Sequence, residues 1–428
     1  MKVESGQLLR SVGLWGLAAV VFNGMVGAGV FSLPGAVAQN VGVWAPWIVV
    51  AVGLALLPVV LGMTTLAGMF DRTGGPMTYV AEAFGPVAGF QVGWLANLSS
   101  CAAAAANANL LADYVLSAAP DALNTPLAHA CATLASLALA LAVNLSSARR
   151  SAGVLRLISL GKFAPLFWLL ALAVPALISP AGMAKPGQSW SPIQAALLAA
   201  YAFTGFEGAL TQAGETHNPR RDLPLAVLGV FVAVVVLYAA LTWGFVAVAY
   251  DPGTPAKAPL AHMGELLAGR AGLALILAGA SLSILGNIIG IVLISSRRLF
   301  TLEEQGSLPR WFGWIDPVNG VPRNAVLFFG VVLVILSLSG GFKALALLSV
   351  ASRLLVYLAS MAALPVIRKG RGLPRFAPRD LFVVPGAPVC LAMLSQTQPA
   401  AWLGIGVAML AGFLIMAAAR RARVVLAV

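Results

Sequence analysis

Charged residues are scarce in this chain. Only 9% of its 428 residues are Asp, Glu, Lys or Arg, against about 25% in a typical soluble domain. Hydrophobic residues make up 60% of the sequence, and the mean hydropathy is +0.93. Apolar runs of roughly 18 residues or more recur along nearly the whole length. The composition therefore excludes a soluble globular protein and indicates an integral membrane protein.

Cysteine and histidine are also rare, with three of each. Cys101, Cys131 and Cys390 lie in or beside apolar runs without the spacing of metal ligands, as unpaired core thiols do. The histidines are scattered, and no phosphate-binding G-x-x-x-x-G-K-[ST] loop is present. We therefore expect no metal, no cofactor and no catalytic residues. A membrane-embedded transferase, a channel and a sensor remain alternatives from other classes.

The apolar runs predict an all-α integral membrane protein with about twelve transmembrane helices, forming a single domain over residues 1–428. These spans lie at roughly 12–38, 41–68, 86–118, 124–144, 152–178, 191–213, 223–249, 271–299, 324–340, 342–366, 380–397 and 399–419. The first span continues beyond the length of a signal peptide without a cleavage site, so we expect it to be retained.

The basic residues are distributed unevenly around these spans. The net charge is +12, from 26 cations and 14 anions. If the N-terminus is cytoplasmic, 21 of the 26 cations fall on the termini and the even-numbered connections. Such an asymmetry predicts a protein of the cell membrane with both termini in the cytoplasm. The same cations can contact anionic lipids, whereas the short connections do not suit nucleic-acid binding.

Two apolar stretches are interrupted by glycines at corresponding places. The first reads FNGMVGAGVFSLP at residues 22–34, and the second begins YAFTGFEGAL at residue 201. A helix in a bilayer must satisfy its own backbone polar groups, so an interruption there indicates a binding site. Gly27 and Gly205 lie 178 positions apart, about five spans. This spacing predicts a substrate site at the interface of two repeats.

Other short motifs accompany the two interruptions in a fixed order. They are TGGPMTYVAEAFG from residue 73, NPRRDLP from 218, SSRRLFTLEEQGSLPRWF from 295, VPRNA from 321 and RLLVYLASMAALPVIRK from 353. Together with GMVGAGVF and FTGFEG, they resemble the signatures of amino acid permeases of the amino acid–polyamine–organocation (APC) superfamily. The resemblance implies a leucine-transporter-like fold with broken first and sixth helices. Its parts would be inverted five-helix repeats at residues 10–180 and 190–367 and two peripheral helices within 368–428.

The resemblance also implies a site for the two charged groups of an amino acid. Amides of Gly27, Ala28 and Gly29 would receive the carboxylate, because small residues and a helix N-terminus suit an anion. Carbonyls of Met25, Tyr201 and Thr204 would receive the ammonium group. The alternative for GMVGAGV is a close contact between packed helices.

Two charged residues fall inside apolar runs. Glu207 follows the second interruption, where an uncompensated charge costs about 2.5 kcal/mol or more. The resemblance places a glutamate at the inner gate here; alternatively, Glu207 ties together the ends of the broken helix. Lys162 lies in the fifth span, where proton-coupled permeases have a lysine in the space of a sodium ion. The alternative is a lysine that extends to the lipid headgroups.

Side-chain selectivity is expected from the third, eighth and tenth spans, with aromatic residues of the sixth facing them. The expected pocket residues are Asn97, Cys101, Phe203, Phe206, Asn287, Ile291 and Ser352, with Tyr201 as an additional gating residue. Asn97 and Cys101 are one turn apart and are expected to face the site together. None of these residues is acidic, so a neutral L-amino acid is favoured over a cationic one or a polyamine. Uptake, export, exchange, proton coupling and oligomeric state are left open by the sequence.

Overall fold

The computed structural model describes residues 13–70, 74–120, 122, 124–146, 161–178, 190–211, 216–252, 258–375 and 383–425. Helices dominate this part of the chain. They are α1 (Leu14–Met25), α2 (Gly29–Val41), α3 (Ala45–Ala67), α4 (Pro76–Phe84), α5 (Pro86–Ser117), α6 (Pro126–Ser146), α7 (Phe163–Ile178), α8 (Pro192–Ala202), α9 (Glu207–Leu210), α10 (Pro219–Val248), α11 (Pro259–Glu304), α12 (Arg323–Ser339), α13 (Phe342–Gly370), α14 (Gly386–Leu394) and α15 (Pro399–Val425).

Each of the twelve predicted spans contains one or two of these helices. Six helical stretches within the described residues are both long and apolar enough to cross a membrane: Gly29–Ala67, Pro126–Ser146, Pro219–Val248, Pro259–Glu304, Phe342–Gly370 and Pro399–Arg423. The start of the predicted fifth span (152–160) and of the eleventh (380–382) lies outside the described residues. The multi-pass character is thus established, while the count of twelve stays a prediction.

Three features differ from the expected spans. Helix α4 precedes the third span and was not predicted. Helix α11 begins before the predicted eighth span and is kinked at Ala268 and Gly269, where the glycine has a φ of 60°. Helix α14 has only nine residues, about 14 Å of rise, too short to cross a hydrocarbon core of about 30 Å alone. Apolar composition reveals a buried segment but not where its helix stops.

Helix α5 is at the centre of the bundle. It packs against α4, α6, α11, α12, α13 and α15. The run Ala102–Ala106 is almost fully buried, because alanine side chains let neighbouring helix backbones approach closely. The amide of Asn109 extends this packing by donating to the carbonyls of Ala105 on α5 and Ser337 on α12. A central, small-residue helix of this kind holds the surrounding helices at fixed distances from the two interruptions.

Both expected interruptions are present, and they touch each other. The first separates α1 from α2 and the second separates α8 from α9. Gly205 has a φ of 107°, which side-chain-bearing residues rarely adopt, and a Cβ there would lie 2.3 Å from the carbonyl oxygen of Gly24. Glycine at both positions therefore permits direct contact between the two backbones.

Candidate functional site

A buried lysine occupies the first break. The Lys162 ammonium donates to the Val26 carbonyl at 2.7 Å, to the Asn23 side-chain oxygen at 2.6 Å and to the Asn23 carbonyl at 3.4 Å. These carbonyls belong to the C-terminal end of α1, where the helix presents partial negative charge. Lys162 is only 1% exposed. Its burial contradicts the alternative in which the side chain extends to the headgroups.

A carboxylate occupies the second break. Glu207 Oε2 accepts hydrogen bonds from the Gly205 amide at 3.0 Å and the Tyr357 hydroxyl at 2.8 Å. Its Oε1 lies 3.0 Å from Arg353 Nη1. Glu207 thus ties the break together, as one interpretation expected, and also attaches it to α13. The guanidinium partner compensates for the partial burial of this charge.

A chain of polar side chains connects the two breaks across α5 and α11. The Asn287 amide donates to the Asn23 carbonyl at 3.5 Å, and its side-chain oxygen accepts from Asn107 at 2.8 Å. The Asn107 oxygen in turn accepts the Tyr201 hydroxyl at 2.6 Å. Asn287 also fills the space beside Gly27, where an added Cβ would lie 2.6 Å from Asn287 Cγ. A change at one break can therefore reach the other through three side chains.

Two of the carbonyls expected to hold a substrate, those of Met25 and Tyr201, already have partners within the protein. The Met25 carbonyl accepts the Tyr238 hydroxyl at 2.9 Å and the Gly27 amide at 3.1 Å. The Tyr201 carbonyl accepts the Thr204 hydroxyl at 2.7 Å. Gly29 opens α2, so its amide is among the first N–H groups, which lack an intrahelical acceptor. Hydroxyl groups of the protein thus occupy two of the carbonyls that a substrate would use.

Aromatic rings surround the second break. Phe203 packs on Tyr238 with ring centroids 5.6 Å apart, and Phe206 packs on Tyr357 at 5.4 Å. Both phenylalanines also contact the ring of Phe231 on α10. The sequence placed Phe203 and Phe206 in an apolar pocket, and the structure puts them in an apolar cluster that bridges α10 and α13.

The expected pocket residues on α5, α11 and α13 have different surroundings. Cys101 was expected beside Asn97, but its sulfur lies 4.0 Å from the Phe329 carbonyl on α12. Asn97 accepts a hydrogen bond from Arg298, and the Ser352 hydroxyl bonds to the Leu348 carbonyl of its own helix. Helix rotation explains the difference for Cys101, because the opposite sides of fully buried α5 are equally apolar. Ile291, half-buried one turn after Asn287, packs at the edge of the core.

Two cavities adjoin the second break and share Arg353. One is lined by side chains that include Phe203, Thr204, Phe206 and Tyr357. The other, with a volume of about 30 Å³, is lined on its polar side by Ser99, Ser100, Glu207, Arg298 and Arg353. Thr204, one of the residues whose carbonyl was expected to accept the ammonium group, borders the apolar cavity. Arg353 on α13 lies between this apolar space and the charged one.

The polar residues that sequence reasoning missed come mostly from helices remote along the chain, except Asn23, which lies in the last turn of α1. They are Asn23, Asn107, Tyr238, Arg298, Arg353 and Tyr357. Arg353 had a visible signal, since it is a cation inside an apolar span. The two asparagines had a weaker one, because each is an amide within a run of small or apolar residues. The tyrosines gave none.

Known proteins resemble this chain over nearly its whole length. A family model described as amino acid permease matches residues 12–423. An uncharacterized transporter of Mycobacterium tuberculosis is 29% identical, over 94% of this chain and 91% of that protein. The glutamate/serine transporter of Bacillus subtilis is 26% identical over 86% and 73%. The cadaverine/lysine antiporter of Escherichia coli is 26% identical over 78% and 77%.

These matches agree with the helical, multi-pass architecture. The names of the relatives denote transporters rather than enzymes. The chain belongs to the amino acid permease family.

Proposed function

We propose that this protein is a secondary active transporter that moves a neutral L-amino acid across the cytoplasmic membrane by alternating access. The contact between Gly24 and Gly205 carries the proposal, because it brings the last turn of α1, next to the first break, against the unwound backbone of the second break. Unwound segments at a helix interface are where transporters of this architecture bind substrate.

Binding would use main-chain groups for the parts that all amino acids share. The α-carboxylate would be received by the amides of Gly27, Ala28 and Gly29 at the start of α2, where helix polarity favours an anion. The ammonium group would be received by carbonyls of Met25, Tyr201 and Thr204. Because the carbonyls of Met25 and Tyr201 now bond internally, the substrate would displace the Tyr238 and Thr204 hydroxyls from them as the two breaks separate.

The finer architecture is part of the proposal. We place two inverted repeats at residues 10–180 and 190–367 and two further helices in 368–428, giving twelve spans. The described cations near the chain's end support cytoplasmic termini, because Arg371 pairs with Glu82 and Arg423 with Glu303 at one end of the bundle. Excess cations of this kind mark the cytoplasmic face.

Proton coupling is assigned to Lys162. Its ammonium group holds the carbonyl end of α1, so loss of its proton would release that end and let the first break rearrange. Burial supports this role, since a desolvated ammonium is disfavoured relative to its neutral form. The side-chain oxygen of Asn23 and the carbonyl of Val26 accept hydrogen bonds from this ammonium group.

Exchange is the second candidate, because two relatives are named antiporters: the cadaverine/lysine antiporter and the arginine/ornithine antiporter of Lactococcus lactis. Those names also raise the possibility of cationic substrates. The cavity beside Glu207 carries two guanidinium groups and one carboxylate, so its net charge disfavours a cation. We therefore retain a neutral substrate and treat exchange as a mode of the same site.

The first experiment is a thermal-stability screen of the purified protein against the proteinogenic amino acids. A ligand that binds the folded state raises its apparent stability. Each stabilising amino acid is then tested beside its carboxamide and its decarboxylated amine. The proposal requires that blocking or removing the carboxylate abolishes stabilisation. Stabilisation by amines, without any amino acid effect, contradicts it.

Transport itself is measured in proteoliposomes loaded with the stabilising amino acid. Labelled substrate should enter by counterflow and reach saturation, which excludes a channel. An imposed inward proton gradient should drive accumulation if Lys162 couples protons. Counterflow without any response to the gradient assigns the protein to the exchange mode.

A further inference from the structure

The charged cavity beside the second break lies at one end of the helical bundle. Arg298 is near the C-terminal end of α11, whose Glu303 pairs with Arg423. Gly74 and Pro76, at the start of α4, form another wall. By the distribution of cations, this end is the cytoplasmic one in the proposed topology. The cavity therefore adjoins the cytoplasmic part of the pathway.

The cavity carries one more cation than anion. Glu207 is satisfied by three donors: Arg353, the Tyr357 hydroxyl and the Gly205 amide. Arg298 has no such counterion, since no carboxylate among the described residues lies within 4.0 Å of it. Its guanidinium donates only to neutral oxygens, Asn97 Oδ1 at 3.3 Å and Ser100 Oγ at 3.4 Å. Both contacts are longer than the usual charge-assisted hydrogen bond of about 2.8 Å.

Arg298 is well placed to bind an anion. A guanidinium group presents several donors in one plane and matches the two oxygens of a carboxylate. The Ser100 hydroxyl can donate to the same anion, since it now accepts from Arg298 and keeps its own proton available. A second guanidinium, that of Arg353, lines the same space and is anchored by Ser99 Oγ at 3.0 Å.

We propose that Arg298, Arg353 and Ser100 form a second binding site, specific for a carboxylate, on the cytoplasmic side of the breaks. The inference rests on the proposed function in one respect, because the natural occupant would be an amino acid entering or leaving the pathway. The carboxylate can be the α-carboxylate common to all amino acids or the side-chain carboxylate of an acidic one. Arg298 receives it, while Glu207 remains attached to Arg353.

The site is tested by titrating the purified protein with sodium acetate against sodium chloride at constant ionic strength and following heat release. Acetate presents the carboxylate alone, so binding does not depend on whether the protein transports anything. The wild-type protein should bind acetate in preference to chloride. Arg298→Gln should weaken acetate binding by about tenfold or more, because it removes the only cation there without a counterion.

Arg297→Gln is the matched control, since this neighbouring arginine is exposed and does not line the cavity. It should leave acetate binding unchanged. Arg298→Lys keeps the charge but loses the planar pair of donors, so it should bind acetate more weakly than the wild type and more tightly than Arg298→Gln, which separates loss of the anion site from loss of folding. Equal binding of chloride and acetate, or equal affinity in Arg298→Gln and the wild type, overturns the proposal.

Two further ligands distinguish the sources of the carboxylate. If the α-carboxylate occupies the site, Arg298→Gln weakens L-serine and L-glutamate alike. If a side-chain carboxylate occupies it, only L-glutamate binding falls. In proteoliposomes, Arg298→Gln should raise the KM on the cytoplasmic face and leave the KM on the other face unchanged. Acetate binding that persists while no amino acid is bound would remove the proposed function and retain the anion site.

Discussion

The two helix breaks are held by opposite charges. At the first, an ammonium group meets the carbonyl end of α1. At the second, a carboxylate meets an amide that precedes α9. Each charge has the sign that the exposed backbone groups require, since carbonyl ends attract cations and amide ends attract anions. A broken helix at bilayer depth is thus stabilised by a buried side chain that replaces the missing backbone partner.

The partners of these charges differ in a way that matters for function. The contacts that the structure gives for Lys162 are with α1 itself, through Asn23 and Val26. Glu207 is fixed by Arg353 and Tyr357, both on α13. We propose that the first break rearranges when Lys162 loses its proton, whereas the second moves only together with α13 or after the ion pair between Glu207 and Arg353 has separated.

The largest effect is expected at the contact between the breaks. Gly205→Ala places a Cβ at a φ of 107°, within 2.3 Å of the Gly24 carbonyl oxygen. Backbone strain of this type costs about 1–3 kcal/mol before the clash is counted. We expect loss of transport and a sharp fall in the yield of folded protein, measured by counterflow and size-exclusion chromatography.

Gly208→Ala is the matched control for Gly205→Ala. An added Cβ at Gly208 would meet only Ile294 Cδ1, at 3.9 Å, an ordinary contact. This variant should fold and transport like the wild type. Normal transport by Gly205→Ala would mean that the breaks do not need close contact at any stage of the cycle.

The ion pair at the second break should show strong coupling. Glu207→Gln preserves an acceptor for the Gly205 amide but leaves Arg353 without its carboxylate. Breaking one partner of a buried pair costs about 3–5 kcal/mol. Removing both, in Glu207→Gln with Arg353→Gln, should cost less than the sum of the single changes by about 0.5–3 kcal/mol. Denaturation of the four proteins in detergent measures this cycle; strict additivity would show that the pair is not coupled.

At the first break, Lys162→Met keeps the length of the side chain and removes its charge and donors. The carbonyls of Asn23 and Val26 then lose a partner in a buried site, at a cost of about 1–3 kcal/mol. We expect a moderate loss of stability and loss of proton-driven accumulation, with exchange retained. In the wild type, acidification on the outer side should increase uptake, and in Lys162→Met it should have no effect.

Lys343→Met is the control for Lys162→Met. Lys343 is exposed on α13 and reaches Gln194 Oε1 at 3.2 Å, so its loss should change stability by no more than about 0.5 kcal/mol. If the proton gradient still drives accumulation in Lys162→Met, proton coupling must be assigned elsewhere.

The two breaks also show which parts of the site could be predicted from the sequence. The breaks themselves, Lys162 and Glu207 could be predicted because a glycine cluster or a charge within an apolar run is visible locally. Arg353, Tyr357 and Tyr238 could not be assigned in the same way. Their roles depend on which face of a distant helix turns toward the breaks, and a nearly uniformly apolar helix has no periodicity that specifies its rotation.

Cys101 likewise shows that the sequence does not specify the rotation of a buried helix. Its spacing from Asn97 correctly describes one turn of α5, but the sulfur contacts α12 instead of the breaks. α5 is buried on all sides, so the sequence gives no polar face from which to orient it. Local backbone signals identify where a membrane helix breaks; long-range packing decides which side chains meet there.

The smallest predicted effect comes from two tyrosines that each hold one break. Tyr238→Phe removes the hydroxyl bonded to the Met25 carbonyl at 2.9 Å but keeps the ring on Phe203. Because the Gly27 amide still bonds to that carbonyl, the loss should be about 1 kcal/mol. Tyr357→Phe removes the corresponding bond to Glu207 and keeps the ring on Phe206.

Amide hydrogen exchange separates the two tyrosine variants. Tyr238→Phe should speed exchange at Gly27 and leave Gly205 unchanged, and Tyr357→Phe should do the reverse. Faster exchange at both glycines in either variant would mean that the breaks open as one unit. In that case the hydrogen-bonded chain from Asn23 through Asn287 and Asn107 to Tyr201 makes the two breaks open together. Loss of the proton from Lys162 would then also change the position of Glu207.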